Sequence, residues 1–118
     1  MIVKRIHPDG RTVRASEMFV GPHDYQSIVG KESAQFRVAE LTFRDGARTR
    51  LHVHDSEQLI IIVTGAGVCG TVDAEHDMGV GDHALIAAGE AHWHGVRANG
   101  EVTLLSVLGP HTTRLAEV

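Results

Sequence analysis

Two histidine pairs carry most of the chemistry this chain can do. His52-Val53-His54 and His92-Trp93-His94 each set imidazoles at i and i+2. On a strand those positions share a face, roughly 6–7 Å apart along the backbone, and imidazoles so placed can close on a single ion. Gln58 keeps the parity of His54 and reaches the same face if no bulge intervenes. A lone histidine is usually just a satisfied or solvated side chain. Two such pairs, with His52 and His92 40 residues apart and glycine turns around them, point instead to one metal site. The chain holds nine histidines where average usage gives roughly two or three. The excess alone decides nothing; the spacing does.

Parity sends His94 toward the interior that His92 faces. There it acts as a catalytic base beside the ion or as a group that steadies a ligand, unless strand twist carries it to the rim. Trp93 takes the opposite face, as outer packing. His83 follows the turn Gly81-Asp82, and His76 sits in an expected hairpin turn with Glu75 and Asp77, so both are read as exposed. His7, His23 and His111 lie in weakly patterned stretches and receive no role. Imidazoles bind metal only when deprotonated, and free histidine titrates near pH 6.5, so metal affinity is expected to fall below about pH 6.

Short strands must position these groups. Apolar segments at 35–43, 58–64, 67–72, 83–87 and 102–108 are separated by glycine-containing turns. Strands repeating every 8–12 residues or so indicate a sandwich or barrel, and no stretch sustains helical periodicity. Segment 58–64 is apolar on both faces, with Ile60 and Ile62 on one and Leu59, Ile61 and Val63 on the other. A second layer or a second subunit must cover both faces, which motivates a homodimer. Ile2, Val3 and Ile6 suggest a short edge strand, and residues 7–33 read as loop with one more strand near Glu17 to Val20. The tail from Pro110 to Val118 reads as an arm.

Composition narrows the partners. A length of 118 residues fits one domain, taken as 1–118. The net charge of −4 argues against nucleic acid, and the one basic patch, Arg44 to Arg50, reads as a solvated turn. No apolar run is long enough to span a bilayer and no leader is evident, so a cytoplasmic protein without a membrane partner is expected. Cys69 is the only cysteine and is read as a small buried hydrophobe.

Together these residues resemble the cupin family. Its first motif, G-x5-H-x-H-x3-E-x6-G, is met by Gly46, His52, His54 and Gly65, with Gln58 at the glutamate position. Its second, G-x5-P-x-G-x2-H-x3-N, is met by Gly81, Gly89 and His92, with Ala87 and Val96 replacing the proline and asparagine. Residues 46–65 and 81–96 hold the two motifs. The resemblance implies an all-β fold, a cupin-type double-stranded β-helix (jelly-roll) barrel. It also implies one divalent metal, manganese or iron first and nickel, cobalt or zinc next, held by His52, His54, Gln58 and His92. Glu57 is the alternative fourth ligand if the strand is bulged.

Three neutral imidazoles and an amide leave the ion's charge near +2, which favours an anionic substrate or a bound hydroxide. The resemblance implies a small-molecule substrate and, first, an oxygenase-type oxidoreductase. A metal-dependent lyase or isomerase is the alternative, since Ala47 to Gly65 and Gly89 to Gly95 are similar to manganese cupins with hydroxynitrile lyase activity. Those carry a further histidine on the strand after the second motif. Here that strand, Val102 to Val107, has none. A non-catalytic module binding a small anion is the third reading.

Overall fold

Short apolar runs punctuated by turns can bury themselves only as stacked antiparallel strands. The computed structural model describes residues 1–116. One five-stranded sheet runs in the order β2 (His23–Val29), β3 (Arg37–Arg44), β11 (Glu101–Leu108), β6 (Gln58–Gly65) and β9 (His83–Ile86). A second runs β1 (Phe19–Val20), β4 (Arg48–Thr49), β10 (Trp93–Gly95), β7 (Gly67–Gly70) and β8 (Glu75–Met78). A two-stranded ladder joins β5 (His52–His54) to β12 (Thr113–Leu115). Every ladder is antiparallel. This is the all-β jelly-roll barrel that the resemblance implies.

Strand β11 shows how the sequence divides the interior. Its side chains alternate, and Val102, Leu104, Ser106 and Leu108 are the buried set. Leu104 sits between Leu41 of β3 and Ile62 of β6, and Val102 lies beside Phe43. With Ile60 these residues form the apolar core that closes one end of the barrel. Two positions further along β11, Ser106 faces Ala39 and Ile60, and Leu108 lies opposite Gln58. The same strand that packs the core therefore carries a polar side chain into the other end.

The five apolar segments appear as β3, β6, β7, β9 and β11, with ends displaced by a few residues. Glu17 to Val20 shrinks to β1. Three expectations need correction. Ile2, Val3 and Ile6 form no strand and are exposed, with no strand partner among the described residues. The stretch after Gly21 contains the seven-residue strand β2. His76 lies on edge strand β8, and the turn falls at 71–74, where Thr71 N–H donates to Ala74 O at 2.9 Å. The expected tail arm contains β12, while residues 117–118 lie outside the described residues.

The outer face of β6 carries no second layer among the described residues. Leu59 and Ile61 are half-buried, Val63 is 42% exposed, and Leu85 on neighbouring β9 is 69% exposed. No helix is long and apolar enough to cross a membrane among the described residues.

Candidate metal centre

The two histidine motifs meet through the backbone. His52 N–H donates to His92 O at 2.9 Å, and His92 N–H donates back to His52 O at 3.0 Å. Residues that exchange both bonds are directly opposed and project side chains to the same face. The ring centroids of His52 and His92 stand 4.3 Å apart, with that of His54 4.8 Å from His52 and 5.3 Å from His92. One ring nitrogen from each of the three lies within 4.8 Å of the others, an arrangement that could hold a metal ion.

Hydrogen bonds on the far nitrogens fix which atoms face inward. His52 Nδ1 lies 2.7 Å from Arg50 O, and His92 Nδ1 lies 2.9 Å from Glu90 O. A carbonyl can only accept, so the proton of each ring sits on Nδ1 and the Nε2 lone pair is free. His54 Nδ1 is 2.8 Å from the Thr113 hydroxyl, which the β5–β12 ladder places directly opposite it. Partners of this kind orient imidazole ligands and raise their basicity.

The inward atoms lack what they need. Nε2 of His52 and Nε2 of His54 are buried without a hydrogen-bond partner. Buried polar atoms without partners are rare, because each costs about 1–3 kcal/mol. His92 Nε2 faces Gln58 Oε1 at 2.8 Å. The Gln58 amide is oriented by its own NH2, which donates to Ser106 Oγ at 2.8 Å. A bare imidazole nitrogen and a carbonyl oxygen are both acceptors, so at that distance either a cation lies between them or the amide turns its NH2 to the ring and accepts from the Ser106 hydroxyl. Ligands about 2.1 Å from one ion stand roughly 3 Å apart at right angles. These residues therefore fit a divalent ion.

Gln58 is buried and belongs to this group, whereas Glu57 is exposed. His94 is buried beside it, its ring 5.5 Å from His52 and 6.1 Å from His92. It rests edge-on against Phe43, at the boundary between core and site, and its Nδ1 has no partner. The Thr49 hydroxyl holds its backbone, accepting from His94 N–H at 3.1 Å. Trp93 points the other way, with the Arg48 guanidinium 3.9 Å above its ring.

Burial sets the charge state. Desolvation pushes His52 down to about 4 and His54 down to about 3, with the neighbouring imidazoles adding to both. It lowers His92 and drives His94 well below the ordinary histidine range. All four are neutral near pH 7, the form that binds metal. The threshold near pH 6 expected from free histidine therefore moves down: in the folded protein, protons compete for these rings only in stronger acid.

The cluster opens into a cavity of about 240 Å3 whose lining includes His52, His54, Gln58 and His94. Two lining residues were not anticipated. His111 brings a fifth imidazole to the cluster, its ring 5.0 Å from that of His54 and its Nδ1 donating to Gly109 O at 2.8 Å. Thr113 is the partner of His54 already described. Both lie in the tail, where the only cue was a histidine two residues from a threonine. His23, given no role, is buried and fully bonded: Nδ1 donates to Gly21 O at 2.9 Å and Nε2 accepts from Arg14 N–H at 3.0 Å. Cys69 is buried in the core, and desolvation raises its thiol to about 11.

Residues 39–108 match the cupin domain family. An (R)-mandelonitrile lyase from Granulicella tundricola is 33% identical over 100 residues, which span 81% of this chain and 67% of that protein. A cupin-like protein from Thermotoga maritima is 25% identical, with a TM-score of 0.78 over 84% of this chain and 80% of its own. The polyketide cyclase RemF from Streptomyces resistomycificus shares the fold at 17% identity, with a TM-score of 0.85 over 99% of this chain and 87% of its own. By motif, fold and sequence the chain belongs to the cupin family.

Proposed function

We propose that this chain is a metal-dependent lyase acting on a small molecule with a hydroxyl or carbonyl group, its ion held by His52, His54, Gln58 and His92. The observation that carries the reading is the buried, unpartnered Nε2 pair of His52 and His54 beside the opposed acceptors of His92 and Gln58. The identity with a mandelonitrile lyase favours bond cleavage over oxygen chemistry. Three imidazoles and an amide oxygen, without thiolate, suit manganese or iron. When bound, the ion supplies Lewis acidity, which makes a substrate hydroxyl easier to deprotonate.

His94 is the residue we assign to that proton. It is neutral, buried beside the ligands and unpartnered at Nδ1. In the cleavage direction the hydroxyl proton passes to His94, the carbonyl forms, and the leaving group departs with the electrons of the broken bond. In the reverse direction His94 returns the proton. Strand β11 has no histidine, unlike the corresponding strand of the lyases that the motifs resemble, and His111, just beyond it, presents an imidazole to the same cavity.

The test is turnover of mandelonitrile and related cyanohydrins under argon by manganese-loaded protein, followed by aldehyde release. Metal-dependent turnover without oxygen, lost in His94→Ala with the metal retained, supports the lyase. Consumption of dioxygen with an aromatic diol and no anaerobic turnover supports the oxygenase reading instead. We further propose a homodimer formed on the outer face of β6 and β9, where Leu59, Ile61, Val63 and Leu85 make an apolar patch. Light scattering then gives twice the 12.8 kDa of the chain.

A further inference from the structure

The lining of the cavity has a charge bias that the metal centre does not explain. The sequence carries 15 acidic residues, yet no aspartate or glutamate lines this cavity among the described residues. Two arginines do, Arg14 and Arg37. Arg37 is occupied: its Nη1 donates to Gly30 O, Ser33 O and Phe36 O at 3.0, 2.7 and 2.8 Å. Arg14 is not. It is an exposed residue and, like most of the basic side chains, is in no ion pair among the described residues.

Arg14 is nonetheless held in place. Its backbone N–H is anchored to His23 Nε2 at 3.0 Å, and the His23 ring is stacked on Phe19 at 4.6 Å. Its guanidinium lies over the Tyr25 ring, 4.5 Å from the centroid. Stacking on an aromatic face restrains a guanidinium while leaving its N–H fork free to meet a planar anion. The lining also carries the apolar side chains Val38, Leu41 and Leu108.

We infer that the cavity selects a small carboxylate whose metal-binding group and anionic end are separated by an apolar body, with Arg14 as the residue that takes the carboxylate. The inference rests on the metal centre proposed above. A ligand of this shape places its neutral oxygens at His52, His54, Gln58 and His92, its body against Leu41 and Leu108, and its carboxylate on the free fork of Arg14. With no acidic side chain on the wall, nothing repels such a ligand, and a cationic analogue finds no partner.

Zinc-loaded protein supplies a redox-inert test. The zinc content is measured first. Protocatechuate, an aromatic diol with a carboxylate across the ring, and its neutral carboxamide are then titrated calorimetrically under argon. The wild-type protein should bind the carboxylate about tenfold more tightly than the amide at low salt, the size of one charge-assisted hydrogen bond. Higher salt should narrow the gap. Arg14→Ala should bring the ratio close to one while leaving amide affinity unchanged, and Arg14→Lys should restore part of it. An equal preference in wild type and Arg14→Ala overturns the inference, as does zinc-bound protein that binds neither probe or prefers the amide. Absence of bound zinc at the outset overturns the metal centre, and the inference with it.

Discussion

Stripped of metal, this barrel should lose stability steeply between about pH 7 and pH 5. Imidazoles in the unfolded chain titrate near pH 6.5. In the folded protein, burial holds His52 near about 4 and His54 near about 3. The unfolded chain therefore binds more protons as pH falls below about 6.5, and stability drops with it. At about pH 5 each imidazole removes about 2 kcal/mol, and the pair about 4 kcal/mol. The loss continues downward until the folded values are passed. His92 and His94 act with the same sign. The depressed carboxylates Glu32 and Asp55 titrate lower and leave this window clean. Against a typical domain stability of about 5–15 kcal/mol, the effect is large. It corresponds to roughly 10–20 °C in melting temperature. Because protons do not occupy the folded rings at pH 5, saturating manganese should still raise the melting temperature there. The assay is a set of melting curves from pH 8 to pH 5, with chelator and with manganese. A metal-free melting temperature that is the same at pH 7 and pH 5 would refute the reasoning.

Other substitutions probe separate parts of the account. Thr113→Val removes the partner of His54 Nδ1 and should weaken metal binding by about 10–100-fold, read by competition with a chelator. Gln58→Glu puts a carboxylate where an amide stands; it should tighten manganese binding by about tenfold and weaken an anionic probe by a similar factor. Gly65 has φ +77°, and a methyl group there would overlap the Glu101 carbonyl. Gly65→Ala should therefore cost about 2–3 kcal/mol in urea unfolding. Leu85→Asp should shift the light-scattering mass toward the monomer while the melting transition stays cooperative; an unchanged dimer mass would place the interface elsewhere.

Legibility in the sequence followed burial. Segment 58–64 became β6 because both of its faces are apolar, and 102–108 became β11 because its alternation is regular. Strand β2 escaped notice because its alternate residues His23, Tyr25 and Ser27 are not aliphatic, so their alternation carries no hydrophobic signal. Strand β8 is an edge strand with three exposed polar residues, and it resembles a turn by composition. The paired motifs put His52, His54, Gln58 and His92 within one cluster, since i and i+2 spacing is local and survives folding. Thr113 and His111 reach the same cluster through a ladder between β5 and β12, 59 residues apart at His54 and Thr113, and no local pattern announces that pairing. Arg14 enters through a backbone bond to His23 and stacking on Tyr25, which are equally silent in the sequence.

The central claim is that three imidazoles and one amide hold a single divalent ion. Crystals of manganese-loaded protein, measured with anomalous scattering at the manganese edge, test it most directly. The account predicts one strong anomalous peak per chain, about 2.0–2.3 Å from Nε2 of His52, His54 and His92 and from Oε1 of Gln58. A peak coordinated by other residues, or none among these four in protein shown to carry manganese, would contradict it.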